Sequence, residues 1–449
     1  MQFQLTNDFI ENIVQLITKK DGNALRELLK EYHFADIAEL LEKLKSDEAT
    51  YLFKQLESDL TSEALMELDE DVREKILDRL SPKEIAEELE ELDTDDAADI
   101  IAELDEEIQR KVIDKIEDEE HAADIVELLN YDEDTAGALM AKELVQVKET
   151  WTVAGCVREM RRQAENVTRV HSIYVTNKEG KLTGRLSLKD LLTAEASTKI
   201  SDVFIPKVDY VTVHTENEEV ARIMQKYDLE AIPVVDEKGI LVGRITIDDI
   251  VDFIKEEAEK DYQMAAGILQ DVEADDSIID LTKARLPWLV LGLLGGLGSV
   301  YIMRGFDEAL ATHVELFFFT PLIAAMAGNV GVQSSAIIVQ GLANDNVKGS
   351  LFKRLLKEVG LALINGLALG LLVILFGVLS GMDQKLAFTI AISMLLVIIV
   401  AALVGTFVPI ILDKKGIDPA IATGPFITTS NDIFGIFLFF FIAKMILNF

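Results

Sequence analysis

Residues 285–304 read RLPWLVLGLLGGLGSVYIMR, a run of 18 uncharged residues between two arginines. The chain changes character here, because residues 285–449 hold 10 Lys+Arg and 9 Asp+Glu whereas the 284 residues before them hold 33 and 70. The formal net charge of −36 therefore belongs to the first part. This break predicts an acidic, water-soluble part followed by a part that lies in lipid.

Length and composition exclude several classes of protein. A chain of 449 residues is too long for a single globular domain. Its acidity excludes nucleic-acid binding, because phosphates would repel it, and its regularly spaced apolar residues exclude disorder. Cys156 is the sole cysteine and cannot form an internal disulfide. The first residues, MQFQLTNDFI, lack a basic flank and an apolar core, so we expect no cleaved signal.

Long uncharged segments predict five membrane helices. Segments of 29, 24 and 27 uncharged residues follow the first one, and a last segment contains a single charge, Asp432. A bilayer core needs roughly 20 apolar residues per helix. The predicted helices cover about 286–303, 314–343, 359–381, 386–412 and 422–446.

Basic residues in the loops predict the orientation. Those before the first span, between the second and third, and between the fourth and fifth are Lys283, Arg285, Lys348, Lys353, Arg354, Lys357, Lys414 and Lys415. The opposite loops offer only Arg304 and Lys385. Cytoplasmic loops carry an excess of basic residues, so the first set of loops should be cytoplasmic. We expect a multi-pass protein of the cell membrane. Its N-terminal part would be cytoplasmic and its C-terminus would lie on the opposite side.

The second and fifth spans contain groups that favour water or an ion over lipid. The second holds Pro321 and the stretch GNVGVQSS at 328–335, and the fifth holds Pro425 and Asp432. Proline and glycine free backbone carbonyls, which must find partners within a membrane. A carboxylate there costs at least about 2.5 kcal/mol, which indicates a cation site at Asp432. The alternatives are small-residue packing by the glycines and a neutral, hydrogen-bonded Asp432.

Residues 1–130 are predicted to form an irregular superhelix of short helices. The phrases ADIAELL at 35–41, ADIIAEL at 98–104 and ADIVELL at 123–129 recur at unequal spacing. Helix-start signals such as SPKE at 81–84 separate the apolar segments.

A cleaner repeat follows within residues 145–255. YVTNKEGKLTGRLSLKD at 174–190 aligns with PVVDEKGILVGRITIDD at 233–249, an offset of 59 residues. Each copy predicts strand, glycine turn, strand and helix. The pattern resembles the CBS domain, which occurs in tandem as a small α/β sensor.

The CBS resemblance implies adenine nucleotide binding, for example of ATP. In that family the Ser/Thr-x-x-Asp that ends each repeat can hold an adenosine ribose, which implies Ser187 with Asp190 and Thr246 with Asp249. The alternative for the Ser and Thr is a helix cap. Residues 250–281 are again polar and helical in pattern, and we expect a connecting helix continuous with the first span that passes movement to it.

The order of these parts resembles the MgtE family of magnesium transporters over nearly the whole chain. Local motifs support the resemblance: YDEDTAGALM at 131–140, GNVG at 328–331 with Gln333, and DPA at 418–420 followed by Gly424, Pro425 and Asp432. It implies a multi-domain protein. The parts are an acidic α-helical superhelical cytosolic domain (1–130), a linker and first α/β CBS domain (131–199), a second CBS domain (200–254), a connecting (plug) helix (255–284) and a five-helix transmembrane domain (285–449).

The resemblance implies a homodimeric, Mg²⁺-selective, channel-like transporter that contributes to magnesium homeostasis, with a pore between subunits. Asp432 would hold hydrated Mg²⁺, because this ion sheds its water reluctantly and a wide polar site can bind the ion together with its water shell. The residues implied to line the pore are Gly328, Asn329, Gly331, Gln333, Pro425, Thr428 and Asn431.

The resemblance also implies cytosolic domains that bind Mg²⁺ and close the pore when Mg²⁺ is high. Crowded carboxylates repel one another until a cation bridges them. The acids implied are Glu63, Asp95 and Asp99 facing Asp228, Asp249 and Asp252, with Glu216, Glu218, Glu257, Asp261 and Asp418 near the pore mouth. Lys260 stands where a further acid is expected. The alternative is an ordinary solvated surface.

Other functions compete with this one. A pore for Co²⁺, Mn²⁺ or Ca²⁺ is possible, although no His or Cys lies near Asp432 to favour a softer metal. The five histidines form no His-Glu-x-x-His, and no Walker or dinucleotide loop is present, so we expect no enzyme. A nucleotide-responsive receptor without transport leaves Asp432 unexplained. Chloride channels carry their CBS pair after the membrane part.

Overall fold

The computed structural model describes residues 5–163, 170, 172–269, 272, 276–343, 347, 350–422 and 424–448; Lys348 of the predicted basic loop lies outside them. Contacts divide the chain into two compact units, Met1–Lys255 and Glu256–Phe449.

The first unit begins with short helices stacked in succession. These are α1 Asn7–Lys19, α2 Gly22–Leu29, α3 Phe34–Glu42, α4 Ser46–Phe53, α5 Ser58–Met66, α6 Glu70–Leu77, α7 Pro82–Leu89, α8 Thr94–Glu103, α9 Glu106–Ile113 and α10 Glu119–Leu128. Helix α3 packs on α5, α5 on α7, and α7 on α9, while α4 packs on α6 and α8 on α10.

The recurring phrases supply the apolar face of this stack. Ile37, Leu41, Ile101 and Ile125, which belong to the three phrases, are all buried. Helix starts follow the predicted signals: at α7 the Ser81 hydroxyl accepts from a backbone N–H one turn on, as an N-cap does. The predicted helical superhelix is confirmed.

The CBS region contains two sheets. Its elements are β1 Val145–Lys148, α11 Val153–Gln163, β2 Ile173–Thr176, β3 Leu182–Leu186, α12 Leu188–Thr193, a 3₁₀ helix Ile200–Asp202, β4 Ile205–Pro206, β5 Val211–Thr212, α13 Asn217–Tyr227, β6 Ala231–Val235, β7 Leu241–Thr246 and α14 Ile247–Ala266. The strand orders are β1-β2-β3-β4 and β5-β6-β7. In each sheet a parallel pair precedes an antiparallel hairpin, β2/β3 or β6/β7.

The two repeats join at their glycine turns. Gly180 and Gly239 both have positive φ, 84° and 80°, which glycine adopts without strain. Leu182 N donates to the Gly239 carbonyl at 3.1 Å, and Leu241 N donates to the Gly180 carbonyl at 3.2 Å. The tandem CBS pair is therefore one continuous module, as the repeat predicts.

The connecting helix differs from the prediction. Helix α14 begins at Ile247, directly after β7, and ends at Ala266. Gly267 then takes φ +84°, and the next helix begins only at Ile278. The predicted helix continuous with the first span over 255–284 is therefore wrong, because a left-handed glycine ends a helix.

The second unit contains the membrane helices. They are α15 Ile278–Arg304, the short α16 Asp307–Thr312, α17 Glu315–Ala343, α18 Leu351–Ser380, α19 Gln384–Asp413, a 3₁₀ helix Pro419–Ala422 and α20 Gly424–Leu447. Among the described residues, the five long helices are apolar and long enough to cross a membrane, which confirms the predicted number. Helix α19 packs against α17, α18 and α20, while α15 packs against α20.

Two of these helices start earlier than predicted. Helix α15 begins after Ser277, whose hydroxyl accepts from Asp280 N at 3.3 Å, and α18 begins after Ser350, whose hydroxyl accepts from Lys353 N at 3.4 Å. Charge spacing locates the apolar span, but a helix starts where its cap lies. Each helix therefore extends about two turns beyond its uncharged part.

Candidate cation site and acidic interface

Asp432 of α20 faces Gly328 of α17. A Cβ atom placed on Gly328 would lie 3.8 Å from Asp432 Oδ1 and 3.1 Å from Thr428 Cγ2. Asp432, Thr428 and Pro425 are half-buried in the single chain. The missing side chain at Gly328 therefore lets the carboxylate of Asp432 and the methyl group of Thr428 approach the backbone of the neighbouring helix.

Two amides predicted to line the pore, Asn329 and Gln333, are exposed on α17. The Thr428 hydroxyl donates to the Gly424 carbonyl at 2.9 Å. This bond uses the hydroxyl proton and leaves oxygen lone pairs available. Asn329 and Gln333 each offer an amide oxygen and Thr428 offers a hydroxyl oxygen, and oxygen atoms suit a hydrated hard cation.

Asn431 and Gly331 do not lie at an open surface. Asn431 is only 1% exposed, and its amide fills the space beside Gly331, whose carbonyl is approached from the other side by Gly405 of α19. Neighbouring helix positions differ by about 100°, so Asn431 points away from the direction of Asp432. Both residues are buried by helix packing in the single chain, and their role in lining a pore stays a prediction.

Two serines of the polar stretch 328–335 have partners that the sequence did not reveal. The Ser334 hydroxyl donates to Glu358 Oε1 of α18 at 2.6 Å, and the Ser335 hydroxyl donates to the Ala422 carbonyl at 2.8 Å. These bonds tie α17 to α18 and to the segment before α20. Their partners are distant in sequence, so only the polarity of the stretch could have indicated them.

In the first unit, the start of α8 meets the second CBS repeat at an acidic interface. Asp95 is 7% exposed, and its Oδ1 accepts from Asp96 N at 3.1 Å. Opposite, Thr246 donates from its backbone N and its hydroxyl to Asp249 Oδ2, at 2.8 and 2.7 Å. The structure therefore brings together Asp95 and Asp249, which were predicted to face each other, and adds Asp96.

Burial and mutual repulsion act on the carboxyl groups of this interface. Burial raises the pKa of Asp95 well above its ordinary value, and neighbouring Asp96 and Asp249 raise it further. Burial, and then Asp249, raises the pKa of Asp96 to about 8. Burial also raises the pKa of Asp249, against the lowering effect of its bonds from Thr246. Such groups hold a proton or accept a cation.

Asp95 and two further carboxylates could share one ion. Oxygen atoms of Asp93, Asp95 and Glu143 lie within 4.8 Å of one another, the one such group among the described residues. Carboxylate oxygens are the ligands that Mg²⁺ prefers, so this donor set fits the ion. Arg244 lies beside the group, 3.0 Å from Asp93. Reasoning from sequence missed Asp93, Glu143 and Arg244.

The other predicted interface acids are less enclosed. Asp99 is exposed and Glu63 is half-buried, and both lie near enough to raise the pKa of Asp96. Asp228, at the left-handed C-terminal end of α13, and Asp252, on α14, are exposed. Their role as metal ligands stays a prediction.

The acids predicted to lie near the pore mouth are divided between the two units. They are Glu216 and Glu218 in the first and Glu257, Asp261 and Asp418 in the second. Lys260, noted as a departure, lies 3.5 Å from Glu257. Asp418 accepts from Ala420 N at 2.7 Å and begins the short 3₁₀ helix. Their joint action on one ion also stays a prediction.

The two predicted nucleotide pairs differ in structure. The Ser187 hydroxyl caps α12 by accepting from Lys189 N at 3.2 Å, and Asp190 is half-buried. In the second repeat, by contrast, Asp249 is engaged by Thr246 and lies at the acidic interface. The first pair is therefore the more accessible of the two.

Family models match the helical domain, the CBS pair and most of the membrane part. A family model described as a divalent cation transporter, MgtE, matches residues 320–442, and that of the MgtE intracellular N domain matches residues 32–134. The CBS domain model matches residues 136–197 and 200–256. This chain belongs to the MgtE family. The predicted family is confirmed, and since its members are transporters, so is the expectation that the chain is not an enzyme.

Individual MgtE proteins resemble the chain over most of its length. The magnesium transporter MgtE of Bacillus subtilis is 36% identical over 322 residues, which cover 72% of this chain and 71% of that one. The Thermus thermophilus magnesium transporter MgtE is 36% identical over 324 residues, 72% of each chain. A crystal structure of the cytosolic domain of the Mg²⁺ channel MgtE in complex with ATP is 36% identical, with a TM-score of 0.52, and covers 54% of this chain and 99% of that one.

Proposed function

We propose that this MgtE protein is a Mg²⁺-selective, channel-like transporter whose acidic cytosolic domains sense intracellular Mg²⁺ and close the pore when Mg²⁺ is high. The observation that carries the proposal is Asp432, a half-buried carboxylate on a membrane helix that faces a glycine of the neighbouring helix. A carboxylate at this depth is retained where water or a cation meets it.

The pore lies between two subunits, with one Asp432 from each. Two opposed carboxylates repel each other until a divalent ion arrives, which favours a charge of +2 over +1. Exposed amides at Asn329 and Gln333 and the lone pairs of Thr428 suit the water shell of Mg²⁺, which dehydrates reluctantly. The ion therefore passes hydrated.

Exposed apolar pairs on the CBS module support the homodimer. Leu188 and Leu192 of α12 are 56% and 75% exposed, and at the equivalent positions of α14, 59 residues later, Ile247 and Val251 are 39% and 55% exposed. Apolar residues repeated on equivalent helices form a surface of the kind that proteins bury on association. A second copy of the chain related by a twofold axis covers it.

Closure begins at the acidic interface. Mg²⁺ bound by the buried acids of α8 and the second CBS repeat replaces protons, removes repulsion and stabilises the compact arrangement. The acids on and beside α14 then hold that helix near the pore mouth.

Contacts within the second unit support an action of α14 on the pore. A Cβ atom on Gly267, just after α14, would overlap the ring of Pro425, and one on Gly424 would overlap the Ala265 carbonyl. Pro425 lies about two turns before Asp432 on α20. Movement of α14 would therefore act directly on the helix that carries the ion site.

Two finer points complete the proposal. The basic loops support N-terminal domains in the cytoplasm and a C-terminus on the opposite side of the cell membrane. ATP, present in the related cytosolic domain, binds at the CBS pair through Ser187 and Asp190. Loss of ATP binding in Ser187→Ala with Asp190→Ala, measured by calorimetry, tests the latter point.

The direct test of transport measures Mg²⁺ uptake into vesicles that contain Asp432→Asn. The amide keeps the size of the side chain and removes its charge, so flux should fall to background. Asp413→Asn, at an exposed position at the end of α19, is the matched control and should transport normally. Uptake with competing Ca²⁺, Mn²⁺ and Co²⁺ separates a Mg²⁺ pore from one for another divalent ion. Undiminished flux in Asp432→Asn contradicts the proposal.

A further inference from the structure

A cavity of about 690 Å³ lies between the beginning of α15 and the beginning of α20, within the second unit. This volume is typical of a site for a small molecule. Thr428 lines the cavity, whereas Asp432 does not. Its walls also include Ile268, Arg285, Trp288, Leu289, Gly292 and Pro425.

Four residues of α15 line this cavity along one face of the helix. They recur at positions i, i+3, i+4 and i+7, which lie one above another, and are Arg285, Trp288, Leu289 and Gly292. Arg285 is the last charged residue before the 18 uncharged ones, and Gly292 lies about 10 Å further along the helix. The lining therefore changes from charged at the boundary of the apolar segment to apolar within it.

Arg285 gives the mouth of the cavity a positive charge. It is exposed, and no ion pair found among the described residues includes it, whereas Lys283 lies 2.8 Å from Asp280. This charge repels Mg²⁺, so the cavity does not suit the path of the ion. A guanidinium binds a phosphate through two parallel hydrogen bonds, which makes an anionic ligand the better match.

Trp288 adds a hydrogen-bond donor to the cavity wall. Its indole N–H is enclosed and has no acceptor within the described part of the chain. Buried indole N–H groups normally have a partner. Tryptophan is also enriched where a membrane helix meets the lipid headgroups, because its ring is apolar and its N–H is polar. A headgroup oxygen in the cavity supplies the missing acceptor.

Helix α15 offers lipid a direct route to the cavity. It packs mainly against α20, and its residues Leu286, Leu289 and Leu293 are exposed. On a membrane helix such leucines face the lipid tails, which are as apolar as leucine itself. A lipid molecule beside α15 therefore reaches the cavity from the membrane.

We propose that this cavity binds one anionic phospholipid. The phosphate lies at Arg285 and the beginning of an acyl chain lies along Leu289 and Gly292, so the order of charged and apolar groups in the lipid matches their order along α15. Basic pockets between membrane helices bind headgroups of this class. A soluble phosphate compound would use Arg285 but leave the apolar depth of the cavity empty.

The chain offers a matched control for each part of the site. Lys283 is also a base on α15, but it lies about 200° around the helix from Arg285 and does not line the cavity. Gly292 and Gly296 are about one turn apart, and a Cβ atom on either meets nothing within 4 Å. Because only Gly292 lines the cavity, Gly292→Leu fills it and Gly296→Leu does not.

The test uses the fluorescence of Trp288 in the full chain. Trp151 and Trp288 are the two tryptophans, so Trp151→Phe leaves Trp288 as the single reporter. The protein is placed in phosphatidylcholine nanodiscs that contain a small fraction of either phosphatidylglycerol or phosphatidylcholine with brominated chains, which quench tryptophan on contact. We expect brominated phosphatidylglycerol to quench with about fivefold higher apparent affinity, the effect of one basic contact. Arg285→Gln should remove this preference, and Lys283→Gln should keep it.

The outcomes of this experiment decide the proposal. Equal quenching by the two lipids, or no quenching by either, overturns the lipid site. Equal loss of preference in Arg285→Gln and Lys283→Gln also overturns it, since surface charge alone then attracts the lipid. Displacement of brominated phosphatidylglycerol by soluble glycerol phosphate indicates a site for phosphate and rejects the lipid. If Arg285→Gln does not fold, Gly292→Leu must lower the quenching by brominated phosphatidylglycerol while Gly296→Leu does not, and otherwise the site is rejected.

The bound lipid has a regulatory consequence, which rests on the proposed closure by Mg²⁺. Ile268, just after α14, and Pro425 of α20 both line the cavity, so a lipid there favours the arrangement in which these two segments lie together. In vesicles, phosphatidylglycerol should lower the cytoplasmic Mg²⁺ needed for half-closure by about fivefold. Arg285→Gln should abolish this effect and Lys283→Gln should keep it. Selective quenching with unchanged closure supports the lipid site and contradicts its action on the gate, so the two failures are distinguishable.

Discussion

Asp432 of α20 faces Gly328 of α17, with Thr428 one turn before the acid against the same glycine. The carboxylate thus lies where the neighbouring helix offers backbone rather than a side chain. A small residue at this contact keeps the space beside the acid open, and the first prediction follows from that space.

Gly328→Ala should lower Mg²⁺ flux without abolishing folding. The new methyl group would lie 3.1 Å from Thr428 Cγ2, closer than ordinary contact, and overpacking of this kind costs about 1–3 kcal/mol. Uptake into vesicles and thermal unfolding of the purified protein measure the two effects. Gly296→Ala on α15, where a Cβ meets nothing within 4 Å, is the control and should behave normally. Equal flux in both variants would contradict a role for the open space.

Gly267→Ala should weaken closure by Mg²⁺. The substitution strains a left-handed backbone by about 1–2 kcal/mol and drives a methyl group into Pro425, so the end of α14 must move away from α20. Uptake at increasing internal Mg²⁺ measures closure. The control is Gly416→Ala. Gly416 also has a positive φ, +67°, but a methyl group added there would meet nothing within 4 Å, so this variant introduces the backbone strain alone. If Gly416→Ala weakens closure as much, the contact with Pro425 is not the cause.

Without Mg²⁺, the stability of the soluble unit should fall as pH rises from about 4 to about 8. The pKa of Asp96 in the folded protein is about 8, above its ordinary 3.8, so the folded state binds the proton more tightly. A raised carboxyl pKa contributes stability at low pH that is lost as pH passes through the folded value. Asp96→Asn should flatten the trend by up to about 1.4 kcal/mol per pH unit.

Thermal unfolding in EDTA across this pH range measures the effect. The exposed Asp114→Asn is the matched control and should keep the slope of the unaltered protein. Added Mg²⁺ should restore stability most at high pH, where the carboxylates are free of protons. If Asp96→Asn has the same slope of stability against pH as the control, the raised pKa of Asp96 is not the cause of the pH dependence.

Cysteines on the repeated apolar surface should cross-link two copies of the chain. Leu192→Cys and Val251→Cys lie on the proposed dimer contact, and oxidation should yield a disulfide-linked dimer on a non-reducing gel. Val126→Cys, exposed on α10 of the helical domain, should remain monomeric under the same conditions. Buried Cys156 contributes little background. Equal cross-linking at all three positions would indicate random collision.

Some features could be predicted because one-dimensional pattern decides them. Charge spacing identifies five apolar helices, since a bilayer admits few charges, and the 59-residue repeat identifies the CBS hairpins, since each copy carries its own glycine turn. Asp432 stands out for the same reason, as a lone acid in an apolar segment. The motifs in their order were enough to indicate the family, which the comparisons confirm.

Other features could not be predicted from the sequence because they depend on direction in space. The sequence placed Asn431 beside Asp432, and only the packing of α17, α19 and α20 turns its amide into Gly331. The connecting helix was expected to continue into the first span, but the left-handed backbone at Gly267 ends helix α14. Hydrophobic periodicity predicts which face of a helix is apolar. It does not predict which neighbouring helix each side chain contacts in the folded protein.

By itself, therefore, the sequence determined the acidic soluble part, the tandem CBS repeat, the five membrane helices and the acid at 432, because charge and hydropathy act locally. Only the tertiary structure decided which carboxylates meet. Asp93, Asp95, Glu143 and Arg244 are separated by up to 151 residues, and their charges interact strongly because folding buries them together away from water. This buried environment cannot be predicted from any one segment of the chain, because three separate segments form it together.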